Sequence, residues 1–190
     1  MEQTFDLLLP PAAANLDIFK IIDVHKLLRL HPHWFVENEE MRDSVLSATL
    51  RDYATDKVFS LGIKLDTIPV QDDEADVRLI LRISLFDYGA NELLFFVQDN
   101  QTKVRVRYDE GQADEALEQD MLLWVRAIQE YLRLYTAATP YTLFFRLLMN
   151  RMILQMNPSQ RKICLMLTKI TVVELLVIVA IIIGYVSFGQ

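Results

Sequence analysis

The sequence predicts an α+β fold: a curved antiparallel sheet of about seven strands packed on one long helix, followed by an amphipathic helix and one transmembrane helix. Three observations predict it. Short alternations of apolar and polar residues recur through the middle of the chain. A long stretch with apolar residues at three- and four-residue steps follows them, and the C-terminal end is almost wholly apolar.

Taken in order, residues 4–9 form a short apolar run stopped by Pro10-Pro11, which reads as a first strand entering a turn. Residues 15–30 place Ile18, Ile21, Ile22, Leu27, Leu28 and Leu30 at mixed helical spacings, with Asn15 or Asp23 as N-caps, so one or two short helices are expected there. Pro32 closes that region. Strand candidates follow from Trp34-Phe35-Val36 onward. Leu46, Ala48 and Leu50 share one face of the next, Phe59, Leu61, Ile63 and Leu65 the face of another, and Val77, Leu79, Leu81, Ile83 and Leu85 alternate with Arg78, Arg82 and Ser84. Residues 92–97 and 103–108 complete the set, joined by Gln98-Asp99-Asn100-Gln101 as a hairpin turn.

A sheet with one apolar face needs a cover. Residues 113–135 supply it, since Leu117, Met121, Trp124, Val125, Ile128, Tyr131, Leu132 and Tyr135 fall on one helical face. Residues 141–156 form a second helical stretch rich in Leu, Phe and Met, suited to the headgroup plane, and Pro158 separates it from the end of the chain.

The segment ITVVELLVIVAIIIGYVSF, residues 170–188, carries a single ionisable group, Glu174. As a helix its 19 residues measure about 28 Å, close to a hydrocarbon core of about 30 Å. Lipid requires every backbone group to be bonded within the segment, so helix wins over the strand preference of its β-branched residues. Arg161, Lys162 and Lys169 precede the span and no basic residue follows it, which predicts a single pass with the N-terminal body cytoplasmic. Glu174 either snorkels to the interface, pairs with Lys169, or marks contact with another membrane helix.

Charge divides at the same point. Residues 137–190 hold Arg146, Arg151, Arg161, Lys162 and Lys169 against one acid, a net +4, so with −7 overall residues 1–136 carry −11. An acidic body repels phosphate backbones, which argues against nucleic acid. The basic stem attracts anionic lipid, and those five cations with Glu174 are the expected membrane-contacting residues. Domains are therefore expected at 1–136 (body), 137–160 (interfacial stem) and 161–190 (span).

The chemistry of enzymes is not legible. His31 and His33, with His25 six residues before, lack an acid or cysteine to complete a metal set and read as a turn before a strand. Asp72, Asp73, Glu74 and Asp76 lack the spacing of a calcium loop. No glycine-rich phosphate loop, Gly-x-Ser-x-Gly elbow or His-Glu-x-x-His helix occurs. Cys164, the one cysteine, excludes an internal disulfide and reads either as a palmitoylation site or as a small interfacial residue. The chain is expected not to be an enzyme.

Strand, short helices, six-stranded meander and long C-terminal helix is the order of the helix-grip fold, and the chain resembles the START-like superfamily that includes polyketide cyclases and coenzyme-Q-binding proteins. Pro10-Pro11-Ala12 and the run Leu27-Leu28-Arg29-Leu30-His31-Pro32-His33-Trp34 are similar to that family's "Pro-x-x-x-V-W…D-x-x-x-W-x-P" entrance, without its Val-Trp pair. The resemblance covers residues 3–136. It implies a hydrophobic ligand, a lipid, quinone or pigment, between sheet and helix, lined by Leu61, Ile63, Leu81, Ile83, Phe95, Trp124 and Ile128. Periodicity alone is equally met by a solid core. The functions expected are therefore a membrane-anchored carrier of such a ligand or, alternatively, an accessory subunit of a larger membrane complex whose anchor packs on the helices of other subunits.

Overall fold

The computed structural model describes residues 2–7, 18–66, 78–98, 101–109 and 114–188, with the backbone alone at Phe19, 78–80 and 186–188. Strand β1 (Glu2–Asp6) leads to helices α1 (Ile18–Ile21) and α2 (Val24–Leu30). Strands β2 (Trp34–Arg42), β3 (Val45–Asp52), β4 (Lys57–Asp66), β5 (Arg78–Phe86), β6 (Ala90–Gln98) and β7 (Gln101–Tyr108) follow, then helix α3 (Glu115–Arg133). Helix α4 (Pro140–Arg151), a 3₁₀ turn (Ile153–Gln155) and helix α5 (Pro158–Phe188) end the chain.

The seven strands form one antiparallel sheet in the order β1-β7-β6-β5-β4-β3-β2. Six are successive hairpin neighbours, and β1 joins the last of them, pairing Phe5 with Val104. Bulges between Val36 and Asn38, Leu79 and Leu81, and Ala90 and Glu92 bend the sheet. The second of these interrupts the strict alternation expected through Leu79, since Leu79 pairs with Phe96 and Leu81 with Phe95. Gly62 lies opposite Phe86, where an added Cβ would come within 3.1 Å of the Phe86 Cβ, so the aromatic ring occupies the room the glycine leaves.

The inner face is apolar and continuous with α3. Leu50, Leu61, Ile63, Leu81, Ile83, Phe95, Val104 and Val106 share one buried cluster with Met121, Trp124, Val125, Ile128 and Leu132. At about 1.5–3 kcal/mol for each large side chain removed from water, this face dominates the stability of the body. Helix α3 begins cleanly because the Asp114 side chain accepts from the Leu117 N–H at 2.7 Å, with Glu115 and Glu118 set in its first turn.

The outer face carries charge. Glu92 bonds Arg107, which also reaches Glu2, and Arg105 lies 5.1 Å from the centre of the Phe96 ring. Arginine stems thus cover Leu94 and Phe96, which are buried although they point away from the core.

Several expected bounds shift. β2 runs nine residues through Glu37, Glu39 and Glu40, far past Trp34-Phe35-Val36, because its polar residues sit on an edge strand that only one neighbour and water must satisfy. The helix expected over 141–156 stops at Arg151 and tightens into the 3₁₀ turn, because Ile153 and Leu154 turn inward and are buried. Pro158 opens α5 rather than standing outside it: Asn157 Oδ1 accepts from the Gln160 N–H (2.9 Å) and Gln160 Oε1 from the Asn157 N–H (3.1 Å), a reciprocal cap. Asp23 does cap α2, accepting from the Lys26 N–H. Pro10-Pro11, Asn15, Asp72-Asp73-Glu74, Asp76, Asp99, Asn100 and the side chains of Val77 and Leu79 lie outside the described residues.

Candidate functional site

The seven residues expected to line a ligand cavity are brought together. Leu61, Ile63, Leu81, Ile83, Phe95, Trp124 and Ile128 are each 0–1% exposed and belong to the single cluster between sheet and α3. Trp124 is fixed further by its indole N–H, which donates to the Leu27 carbonyl at 2.9 Å and ties α3 to α2.

At one end of that interior lies a polar group that the apolar stripe of α3 conceals. His31 is fully buried, stacked on Trp34 with ring centres 4.0 Å apart. The His33 N–H donates to its Nδ1 (3.3 Å), so Nε2 carries the proton directed at Asp120 Oδ1, 3.2 Å away. The Tyr88 hydroxyl donates to the other oxygen of Asp120. Burial pushes the Asp120 carboxyl up, but the hydrogen bonds from His31 and Tyr88 outweigh it and hold the group below the usual carboxylate range. Burial and the Asp120 charge push the Tyr88 phenol far up. Both nitrogens of His31 are engaged, so the arrangement clamps the α2–β2 corner to α3 and leaves no free base.

Three ties then fasten the stem to the body. Asn150 of α4 accepts from the Tyr131 hydroxyl (2.7 Å) and donates to Tyr135 (3.1 Å). Arg146 donates to the carbonyls of Leu134 and Ala137, both at 2.7 Å, and its guanidinium lies 4.6 Å from the centre of the Tyr135 ring. Arg161 of α5 donates to the Met156 carbonyl (2.9 Å) and to the His31 carbonyl (3.2 Å). Of the five cations expected at a membrane, Arg146 and Arg161 are thus turned toward the body, while Arg151, Lys162 and Lys169 are exposed. Glu174 is exposed and forms no ion pair among the described residues, with Lys169 or otherwise.

With Thr142, Arg146 and Asn150 facing inward, α4 presents its apolar side outward: Tyr141, Leu143, Phe144 and Leu147 are all exposed. Between this side and α5 runs a groove of about 930 Å³, lined by Tyr141, Phe144, Phe145, Ile163, Leu167 and Val172 among others. The two threonine hydroxyls of its wall are satisfied within α5, Thr168 donating to the Cys164 carbonyl and Thr171 to that of Leu167, which leaves the α5 side of the groove largely apolar. Cys164 lines it too. Residues 158–185 form one helix long and apolar enough to cross a membrane, with none of its most apolar window buried.

His25 contacts Glu39 at 3.2 Å, whereas His31 contacts Asp120, so these two histidines serve different neighbours. Among the described residues no three His, Cys, Asp or Glu side chains converge as a metal site. Sequence reasoning missed Asp120, Tyr88, Asn150 and Arg29. Asp120 had a signal: it stands four residues before Trp124, an acid on the margin of an apolar stripe.

Sheet order, flanking short helices and the long gripping helix define an α+β protein of the helix-grip class, here continued by an exposed apolar helix. Among solved structures the chain is similar to Ara h 8.0201 (17% identity, TM-score 0.39, covering 73% of this chain and 97% of that one). It is also similar to protein CV1439 from Chromobacterium violaceum (10%, TM-score 0.41, 70% and 96%) and to Chr148 from Cytophaga hutchinsonii (14%, TM-score 0.37, 71% and 90%). No protein-family model and no curated protein matches the sequence.

Proposed function

We propose that the chain is a non-catalytic, membrane-anchored helix-grip module that binds or presents a hydrophobic molecule, a lipid, quinone or pigment, at the membrane surface. The observation that carries this reading is the join between body and stem. An apolar groove of about 930 Å³ opens where the helix with membrane-spanning length leaves the body, and small-molecule sites fall at about 300–1,000 Å³. The interior between sheet and α3 is the second place such a molecule would occupy, next to Trp124 and Ile128. The cations Lys162 and Lys169, before the span, favour a body on the cytoplasmic side.

Native mass spectrometry of protein released gently from bilayer nanodiscs tests the reading. A retained apolar adduct, lost in Leu167→Arg and kept in Val58→Arg on the sheet, is the expected result. Protein free of adduct under every release condition would sink it. Alkaline extraction of membranes tests the anchor separately: the full chain stays in the pellet, and a chain ending at Asn157 is released.

A second reading is favoured by Glu174, an exposed carboxylate one turn into the apolar stretch with no ion pair among the described residues. A carboxylate there is stabilised by a partner from another membrane helix, which fits an accessory subunit of a larger complex. Co-purification in mild detergent, compared between the wild type and Glu174→Leu, separates the two readings: a partner lost in the variant supports the subunit, and a particle of this chain alone removes it.

A further inference from the structure

Beside the groove, and on the other side of the α5 base, a smaller cleft of about 230 Å³ is lined by Arg29, Phe35, Val36, Leu154, Gln155 and Arg161. It joins the last turn of α2 to the first turn of α5. Two guanidinium groups share it, near enough to repel each other, and no carboxylate lines it. Glu39 compensates the charge of Arg29, but Arg161 has no ion pair among the described residues, and a partly buried charge without one is costly to desolvate.

The donors are only partly used. Arg29 Nη2 donates to Glu39 Oε1 at 3.2 Å, the one acid near the pair, and Glu39 is shared with His25. The Arg29 Nε–H and Oε2 of the same Glu39 are both buried without a hydrogen-bond partner. Arg161 spends Nε on the Met156 carbonyl and Nη1 on the His31 carbonyl, and no acceptor for its Nη2 is found among the described residues. Main-chain bonds thus hold Arg161 rigid while leaving an N–H to spare. Two planar guanidinium forks lining one cleft suit a tetrahedral oxyanion better than a point charge would.

We propose that this cleft binds a phosphate oxyanion, held between Arg29 and Arg161. Its position bears on the source. Arg161 lies nine residues before Ile170, about 13 Å along the helix, and between them stand the exposed apolar Ile163, Leu165, Met166 and Leu167 and the exposed cations Lys162 and Lys169. The cleft thus lies on the body side of the apolar stretch, within reach of lipid headgroups when α5 is in a bilayer. A phospholipid headgroup and free inorganic phosphate offer the same chemistry. The lipid form rests on the membrane-anchored reading above; the binding of phosphate itself does not.

The test uses the full chain in nanodiscs of phosphatidylcholine alone or with phosphatidylglycerol, with native mass spectrometry counting retained lipid. A thermal-unfolding titration with inorganic phosphate, in the phosphatidylcholine discs, runs in parallel. Retained phosphatidylglycerol that falls about tenfold in Arg29→Gln and is unchanged in Arg126→Gln, an exposed arginine of α3 away from the stem, assigns a headgroup site. A rise in unfolding temperature with phosphate in the wild type but not in Arg29→Gln assigns a free-anion site; seen without stable insertion in the discs, it keeps the cleft and removes the anchor. Far-UV circular dichroism confirms that Arg29→Gln is folded, and Arg29→Lys, which keeps the charge but not the fork, is expected to restore binding only in part. No response to either probe, or equal loss in Arg126→Gln and Arg29→Gln, overturns the proposal.

Discussion

The body and the stem treat apolar residues in opposite ways. In the body, Leu61, Ile83, Phe95, Trp124 and Ile128 turn inward and the outer face is laced with Arg107, Glu92 and Glu2. In α4 the pattern is inverted: Arg146 and Asn150 bond inward to the end of α3, while Leu143, Phe144 and Leu147 face out. Helix α5 is apolar all round beyond its first turns. Water alone drives the first arrangement. The second is stable only where something apolar covers it, since an exposed patch beyond a few hundred Å² marks an interaction surface. The stem is thus joined to the body by Leu154, which enters the core cluster, and by polar ties, while the outward side of α4 stays exposed.

Substitutions that break the comparison should rank accordingly. Trp124→Ala removes the largest side chain of the α3 stripe and its bond to the Leu27 carbonyl, with an expected loss of about 3–5 kcal/mol in denaturant unfolding of the detergent-solubilised chain. Asp120→Ala leaves the buried donors of His31 and Tyr88 without an acceptor, at about 2–4 kcal/mol. The same carboxylate gives the body an acid sensitivity. Its folded pKa is depressed, so its contribution is fully present above the ordinary carboxylate value and is lost as the pH falls through the depressed one. Unfolding free energy measured from about pH 7 to about pH 3 should drop over that window in the wild type, and Asp120→Asn should flatten the part of the drop this group supplies.

Asn150→Leu sharpens the comparison by cutting a tie and leaving both regions folded. Its expected cost is about 1–2 kcal/mol, with faster proteolysis between α3 and α4 as the more direct readout. Smallest of all is Leu147→Ser, on the outward side of α4. It should move body stability by no more than about 0.5 kcal/mol while weakening adsorption to liposomes. A large destabilisation there would mean that the outward side of α4, and not only Leu154, belongs to the body's core.

Much of the fold was legible because its signals are local. Period-two alternation in β3, β4 and β5 and the 3.6-residue stripe of α3 each follow from one buried face, and the apolar run at the C-terminus from length and composition. β2 was legible only at its start, because an edge strand with Glu37, Glu39 and Glu40 has no apolar pattern to read. The turn after it was hidden for a related reason: Asp43 and Ser44 both adopt positive φ (46° and 67°) without the glycine that usually signals such a hairpin. The candidate sites were less legible. His31, Asp120 and Tyr88 lie far apart in sequence, as do Arg29 and Arg161, and pairings of that range are set by the tertiary fold. Arg146 and Arg161 were read as membrane cations by their position, and only carbonyls from α3 and the α2–β2 corner reveal that they face the body.

The claim that the outward side of α4 lies in an apolar medium is tested most directly by accessibility. On a Cys164→Ser background, single cysteines introduced as Phe144→Cys, Leu147→Cys and Val58→Cys would be spin-labelled in bilayer nanodiscs. Collision with dissolved oxygen would then be compared with collision with a water-soluble nickel complex. The account predicts that labels at 144 and 147 favour oxygen and that the label at 58, exposed on the sheet, favours nickel. Labels at 144 and 147 that behave like the one at 58 would contradict it.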